Sequence, residues 1–117
     1  SEAKPALEIN SKMFLKDGDK CHLVSLNEIC YFESCKNYVR IFFGDKNAFV
    51  KKSLNSIEAR LPRKYFFRVS RQYIVNLNDI KSIEEAMNDG YEVVMSDGKL
   101  LEVSRRNAME LKELLSF

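Results

Sequence analysis

One histidine, four glycines and three cysteines are all this chain offers of the residues that most often carry chemistry, and each scarcity excludes something. The lone His22 sits in an early apolar run beside a turn, and reads as a polar residue of an edge strand. No H-x-x-x-H pair, no G-x-S-x-G elbow and no phosphate-binding loop is present, and four scattered glycines cannot build a glycine-rich phosphate cradle. Cys21, Cys30 and Cys35 are odd in number and lack C-x-x-C spacing, which argues against a zinc or disulfide framework. They read as buried free thiols of a reducing cytoplasm. No apolar run approaches the roughly 18–20 residues of a membrane helix. No charged segment followed by an apolar one opens the chain, so nothing suggests secretion. Six of the seventeen carboxylates fall between Tyr73 and Lys99, mostly at turns, with no spacing that favours paired acid–base work. Neither catalysis nor a cofactor or metal is expected, and the expected location is cytoplasmic.

What is present is an uneven distribution of charge. The total is only +2 over 117 residues. From Lys36 to Gln72, however, ten basic residues face two acidic ones, Asp45 and Glu58. From Tyr73 to Lys99 the balance reverses, with two basic against six acidic residues. An asymmetry of this size in a single small domain points to an anionic partner, most often nucleic acid. The opening residues 1–12 are polar, contain Pro5 and lack periodicity, and read as a linker; residues 13–117 read as the folded domain.

Most of the chain reads as β-strands joined by tight turns. "KMFLK" and "KCHLV" flank "DGD"; "EICYFES" and "YVRIFF" flank "CKN"; "YVRIFF" and "NAFVKK" flank "GDK"; "GYEVVM" and "KLLEV" flank "SDG". Two segments read as helices. Leu54, Ile57 and Leu61 repeat at helical spacing behind Ser53 as N-cap, ending at Pro62. Ala108, Leu111 and Leu115 share a face behind Ser104 as N-cap, with Met109 and Leu114 beside it. Leu77–Ile80 suits a further single turn. The sum is a mostly β domain with two or three short helices, its sheets packed face to face or closed into a barrel.

"YFFRVSRQYIVNLNDI" contains the least ordinary feature. Phe67, Val69, Tyr73, Val75 and Leu77 alternate with polar residues like a strand with one buried face, but Arg71 falls on the apolar set. Burying an unpaired guanidinium costs several kcal/mol. Either the strand ends near Ser70 or Arg71 faces outward at a turn or bulge, with Gln72 beside it. Arg can pair with guanine and Gln with adenine in the major groove. Arg68 keeps to the polar alternation, and fits either a solvated, ion-paired strand residue or a contact. Lys51 and Lys52, with Ser53, lie where a strand hands over to a helix, and suit phosphate contacts. Lys36, Asn37 and Tyr38 form another loop. Arg105 and Arg106 follow Ser104 at a helix N-terminus, where the helix dipole disfavours cations by about 0.3–1 kcal/mol unless an anion is bound.

The segments "EICYFESCKNYVRIFF", "SLNSIEARLPRKYFFRVSRQYIVNLNDIKSI" and "SDGKLLEVSRRNAMELKELL" together resemble the LytTR DNA-binding family. The likeness spans roughly Met13 to the C-terminus and rests on an ordered set of motifs: Ile29 to Val39, Phe66 to Ile80 and Asp97 to Arg106. The resemblance implies an elongated domain of stacked antiparallel sheets whose loops enter successive major grooves of bent double-stranded DNA. It further implies contacts from Asn37 and Tyr38, from Ser70 and Arg71, and from Arg105 and Arg106, with Lys52 and Ser53 as phosphate contacts. Where the family pattern carries His and then Ser or Thr, this chain has Ser70 and Gln72, so base preference is not transferable.

The resulting expectation is a sequence-specific, double-stranded DNA-binding output domain of a bacterial transcriptional regulator of the two-component kind. The candidate DNA-binding residues are Lys36, Asn37, Tyr38, Lys51, Lys52, Ser53, Arg68, Ser70, Arg71, Gln72, Ser104, Arg105 and Arg106. Family members are usually fused to a receiver domain and bind repeated sites; the isolated domain is expected to be a monomer. Two rivals are an RNA- or single-strand-binding β-barrel, which needs exposed aromatics among the cations, and a β-sandwich that binds only proteins, whose basic residues would be scattered.

Overall fold

A computed structural model describes residues 6–87 and 90–116. Its elements are β1 (Lys12–Asp17), β2 (Lys20–Ser25), β3 (Ile29–Cys35), β4 (Tyr38–Phe43), β5 (Lys46–Val50), α1 (Leu54–Glu58), β6 (Phe66–Arg68), β7 (Tyr73–Asn76), β8 (Ile80–Glu85), β9 (Tyr91–Met95), β10 (Leu100–Val103) and α2 (Arg105–Leu115). Single 3-10 turns precede β3 (Leu26–Glu28) and β8 (Leu77–Asp79). The turn signals fall where expected. Gly18 and Gly44, for example, adopt φ of 60° and 59° between their strands, a conformation that glycine reaches without a Cβ penalty.

All strand pairs are antiparallel and form three sheets: β1-β2, β5-β4-β3-β7-β6 and β10-β9-β8. The five-stranded sheet is the middle layer, buried on both sides. One core joins Leu15 and Val24 of the first hairpin, Leu54 and Ile57 of α1, and Phe32, Ile41 and Ile74 of the middle sheet. The second joins Val93 and Met95 of β9, Leu101 and Val103 of β10, and Ala108 and Leu111 of α2 to Tyr31, Val69 and Val75. The sheets pack face to face, giving an elongated body of 43 × 29 × 26 Å. Leu7 and Ile9, ahead of β1, pack on the first core, and the Leu7 amide donates to the Arg60 carbonyl at 2.8 Å.

Several expectations are corrected. In Tyr65–Ile80 the first strand ends before Ser70, one of the two alternatives, so the stretch is not one strand with one buried face. It is a hairpin, β6 and β7, and its adjacent residues Ile74 and Val75 enter opposite cores, so burial there has no period of two. The first helix ends at Glu58, and a turn carries the chain on to Pro62. On α2, Ala108 and Leu111 are buried, but Leu115, Leu114 and Met109 are exposed, because the second core ends before the last helical turn. Ile80–Glu85 pairs with β9 as a strand that local patterning did not indicate.

Candidate nucleic-acid interface

Strand direction alone gathers the basic loops. In the middle sheet Val39 faces Val50, Cys35 faces Tyr38, Glu33 faces Tyr73 and Arg68 faces Ile74. The end of β5, the start of β4, the end of β3, the start of β7 and the end of β6 therefore lie along one edge of the layer. That edge carries the Lys36–Asn37 turn, the Lys51–Ser53 link and the 69–72 loop. The opposite edge mixes Glu28, Asp45 and Asp79 with Lys46, Arg63 and Lys64. The third sheet adds α2 to the basic edge, because Asn107 Nδ2 in its first turn donates to the Val69 carbonyl at 3.1 Å. Arg105 and Arg106 stand beside Asn107, so all four candidate clusters share one rim.

Each cluster is held by its own local chemistry. Lys36 has a φ of 48°, the one positive value among the described non-glycine residues. The two-residue turn it makes with Asn37 projects both side chains outward, and Lys36, Asn37 and Tyr38 are exposed. The Tyr38 ring meets Phe49 edge-on at 5.9 Å, and the Arg40 guanidinium lies over Phe49 at 4.5 Å. Lys51 and Lys52 are exposed, while Ser53 Oγ accepts from the Ser56 amide at 3.1 Å and starts α1. Ser104 Oγ likewise accepts from the Asn107 amide at 3.2 Å, leaving Arg105 and Arg106 exposed in the first turn of α2. Among the described residues, Lys36, Lys51, Lys52, Arg71 and Arg106 have no acidic side chain within ion-pair distance.

The 69–72 loop is the most constrained. Val69 is fully buried and anchors the loop in the second core, whereas Arg71 and Gln72 are exposed. The misfit of Arg71 in the alternation thus marks where the chain leaves the sheet. Arg68, by contrast, is engaged: its guanidinium donates to the Ser70 and Arg71 carbonyls, to Asn55 Oδ1 and to Glu58 Oε1, all at 2.7–2.8 Å. Ser70, half-buried, holds the Gln72 amide through its hydroxyl at 3.1 Å.

Four groups of the middle sheet are shifted upward, Tyr73 and Cys35 toward the rim, Tyr31 and Cys30 toward the opposite edge. Burial, then the hydrogen bond to Glu33, pushes Tyr73 up to about 12, and its hydroxyl donates to Glu33 Oε2 at 2.7 Å. Burial, then Asp97, raises Tyr31, whose hydroxyl donates to Asp97 Oδ2 at 3.2 Å. Burial, then a hydrogen bond to Asp79, pushes the Cys30 thiol up to about 12; burial, then Glu33, raises Cys35. Cys21 is exposed, unlike the buried thiol expected of it.

Sequence reasoning missed three contributors to this rim. Lys99 lines a shallow groove with Ser70, Arg71 and Gln72, brought there by the β9–β10 turn. Asn107 and Phe49 act through contacts 38 and 11 residues away along the chain, which no local spacing reveals. Of the aromatics a single-strand platform could use, Tyr65 is half-buried and Phe66 buried against the first core, whereas Tyr38 is exposed on the rim beside Phe49. Among the described residues no cluster of three or more His, Cys, Asp or Glu is placed to hold a metal, and no helix is long and apolar enough to cross a membrane.

The chain is similar to known proteins over most of its length. The family model of the LytTr DNA-binding domain matches residues 19–116. The Sensory transduction protein LytT of Bacillus subtilis (strain 168) is 36% identical over 104 residues, covering 89% of this chain and 43% of that protein. The Transcriptional regulatory protein LytR of Staphylococcus aureus (strain N315) is 28% identical over 94 residues, covering 80% and 38%. The chain thus spans less than half the length of these curated relatives. A solved LytTr DNA-binding domain from Bacillus cereus, assigned to a methyl-accepting/DNA response regulator, superposes with a TM-score of 0.82 at 29% identity, covering 92% of this chain and 98% of that one. On the match of its motifs, its layered sheets and nearly its whole length, the chain belongs to the LytTr DNA-binding domain family.

Proposed function

We propose that this domain binds double-stranded DNA with sequence preference through the rim just described, as the output domain of a two-component transcriptional regulator. The observation that carries the reading is the convergence of three basic loops and the α2 N-terminus on one edge, with five cations lacking acidic partners among the described residues. Arg71 and Gln72, presented on a fixed loop, read base edges, and Asn37 and Tyr38 enter a neighbouring groove. Lys36, Lys51, Lys52 and Ser53 meet phosphates as the backbone passes, and Ser104, Arg105 and Arg106 hold another phosphate at the helix start. Residues 13–117 form the binding unit; of the stretch 1–12 that precedes it as a linker, Leu7 and Ile9 dock on the first core and Lys12 already opens β1. A receiver domain in the full-length regulator supplies the signal, two copies occupy a repeated site, and the isolated domain is monomeric, non-catalytic and cytoplasmic.

The test is equilibrium binding of the purified domain to duplex DNA, single-stranded DNA and RNA across a salt series. Four or five phosphate contacts predict duplex preference with a log–log salt slope of about −3.6 to −4.5. Preference for single strands or RNA, or no duplex binding at low salt, contradicts the reading.

A further inference from the structure

We propose that Arg68 is a positioning residue, not a DNA contact: it clamps the 69–72 loop into its reading shape, with Asn55 and Glu58 of α1 as its anchors. The inference deepens, and rests on, the DNA-reading role proposed for that loop. The guanidinium is divided between two tasks. Nε donates to the Ser70 carbonyl and Nη2 to the Arg71 carbonyl, both at 2.7 Å. Nη1 donates to Asn55 Oδ1 and Glu58 Oε1, both at 2.8 Å. The side chain is only 21% exposed, and its charge is already matched by Glu58, so little remains for a phosphate.

The clamp completes a pattern that no single bond reveals. All four loop carbonyls accept from the body of the domain: Val69 from Asn107 Nδ2, Ser70 and Arg71 from Arg68, and Gln72 from the Ser34 amide at 2.8 Å. A loop with its carbonyls drawn inward presents no backbone acceptor to the partner. The Arg71 amide, in turn, has no partner among the described hydrogen bonds, while the Val69 and Ser70 amides donate to the Tyr73 carbonyl at the start of β7 and the Gln72 amide to Ser70 Oγ. The loop therefore keeps one backbone donor, the Arg71 amide, beside the exposed Arg71 guanidinium, which suits the acceptor edge of guanine. Two carbonyls on one side and two α1 acceptors on the other require a planar fork, which a lysine ammonium cannot supply. Because α1 begins at the Lys51–Ser53 link, the same clamp fixes the base-reading loop relative to the phosphate-contacting one.

The experiment uses Arg68→Gln and Glu58→Gln, both checked for folding by circular dichroism, with two readouts. In the DNA-free domain, hydrogen exchange of the Val69, Ser70 and Gln72 amides should accelerate about tenfold or more in both variants, with α2 and β9 unchanged. In binding, the probes are a duplex selected by the wild-type domain from a randomised pool and a scrambled duplex of equal composition. The selected-to-scrambled affinity ratio should fall about tenfold in both variants while the salt slope stays the same. Glu58→Gln is the sharper case, since removing an acidic charge would by electrostatics alone tighten both duplexes. Unchanged exchange overturns the clamp, and faster exchange with an unchanged ratio overturns its role in reading. A slope smaller by about 0.9 with the ratio intact makes Arg68 a phosphate contact instead. If the wild-type domain selects no duplex, the DNA-reading proposal fails, and the exchange data still decide the clamp.

Discussion

Asn76 is the one buried polar residue among those described, at 1% exposure, and replacing it offers a quantitative test of how the middle sheet is anchored at the edge opposite the basic rim. Its Nδ2 donates to the Ile29 carbonyl at 2.9 Å and the Asn27 carbonyl at 3.1 Å, and its Oδ1 accepts from the Asn78 amide at 3.0 Å. It therefore fixes the start of β3 against the end of β7, and opens the 3-10 turn that leads into β8. Asn76→Ala removes all three bonds and strands at least the buried Ile29 carbonyl. At about 1 kcal/mol per net hydrogen bond, more where a buried partner is abandoned, the expected loss is about 3 kcal/mol. For a domain of this size that lowers Tm by roughly 10–20 °C. Asn76→Asp keeps the acceptor but sets a carboxylate against two carbonyl oxygens in a dry site. Burial and those oxygens raise the folded-state pKa of that carboxyl above its unfolded value of about 4, so the variant is least destabilised below pH 4 and loses stability as pH rises through the folded value. Urea unfolding followed by circular dichroism at pH 4 and pH 7 measures both. If Asn76→Ala lies within about 0.5 kcal/mol of wild type, the three-bond anchor is not what holds β3 to β7.

Further outcomes follow from the rim and from the shifted tyrosines and thiols of the domain. Arg71→Ala should cut the affinity for a selected duplex by about 1–3 kcal/mol and relax its sequence, whereas Lys52→Ala should weaken all duplexes alike and reduce the salt slope by about one; equal, sequence-blind losses would remove Arg71 from base reading. Tyr31 and Tyr73 are raised in the folded state, so their contribution to stability is complete below about pH 10 and is lost as pH climbs toward 12. Thermal unfolding from pH 9 to pH 12 should therefore decline less steeply in Tyr73→Phe than in wild type. A thiol reagent at pH 8 should modify Cys21 rapidly and Cys30 and Cys35 slowly, so Cys21→Ser should abolish the fast phase; a fast phase that survives would contradict the protected state of the other two.

Much of this was legible locally, and what was not depends on distance along the chain. Hairpin turns at Gly18, Gly44 and Gly98 and caps at Ser53 and Ser104 are written in adjacent residues, so the structure reproduces them. β8 escaped because Ile80–Glu85 has a register shift between Ile80 and Ser82 and ends in two glutamates, which erases alternation. The double-sided burial of β7 escaped because it needs a second core, supplied by β9, β10 and α2. The basic third was visible as composition. Its collection onto one edge rests on β3 pairing with β7 some forty residues later, as Glu33 does with Tyr73. Arg68 shows the limit best: its position in a strand pattern permits either a contact or an ion pair, and only the arrival of Asn55 and Glu58 decides where its donors go.

The most direct test of the central claim is to titrate a selected duplex into the isotopically labelled domain and follow amide chemical shifts. The account predicts that the largest changes fall at Lys36–Tyr38, Lys51–Ser53, Ser70–Gln72 and Ser104–Arg106, with little change at the opposite edge around Gly44–Asp45. Perturbations centred on that opposite edge, or on the exposed Phe14 and Leu23 of the first hairpin, would contradict it.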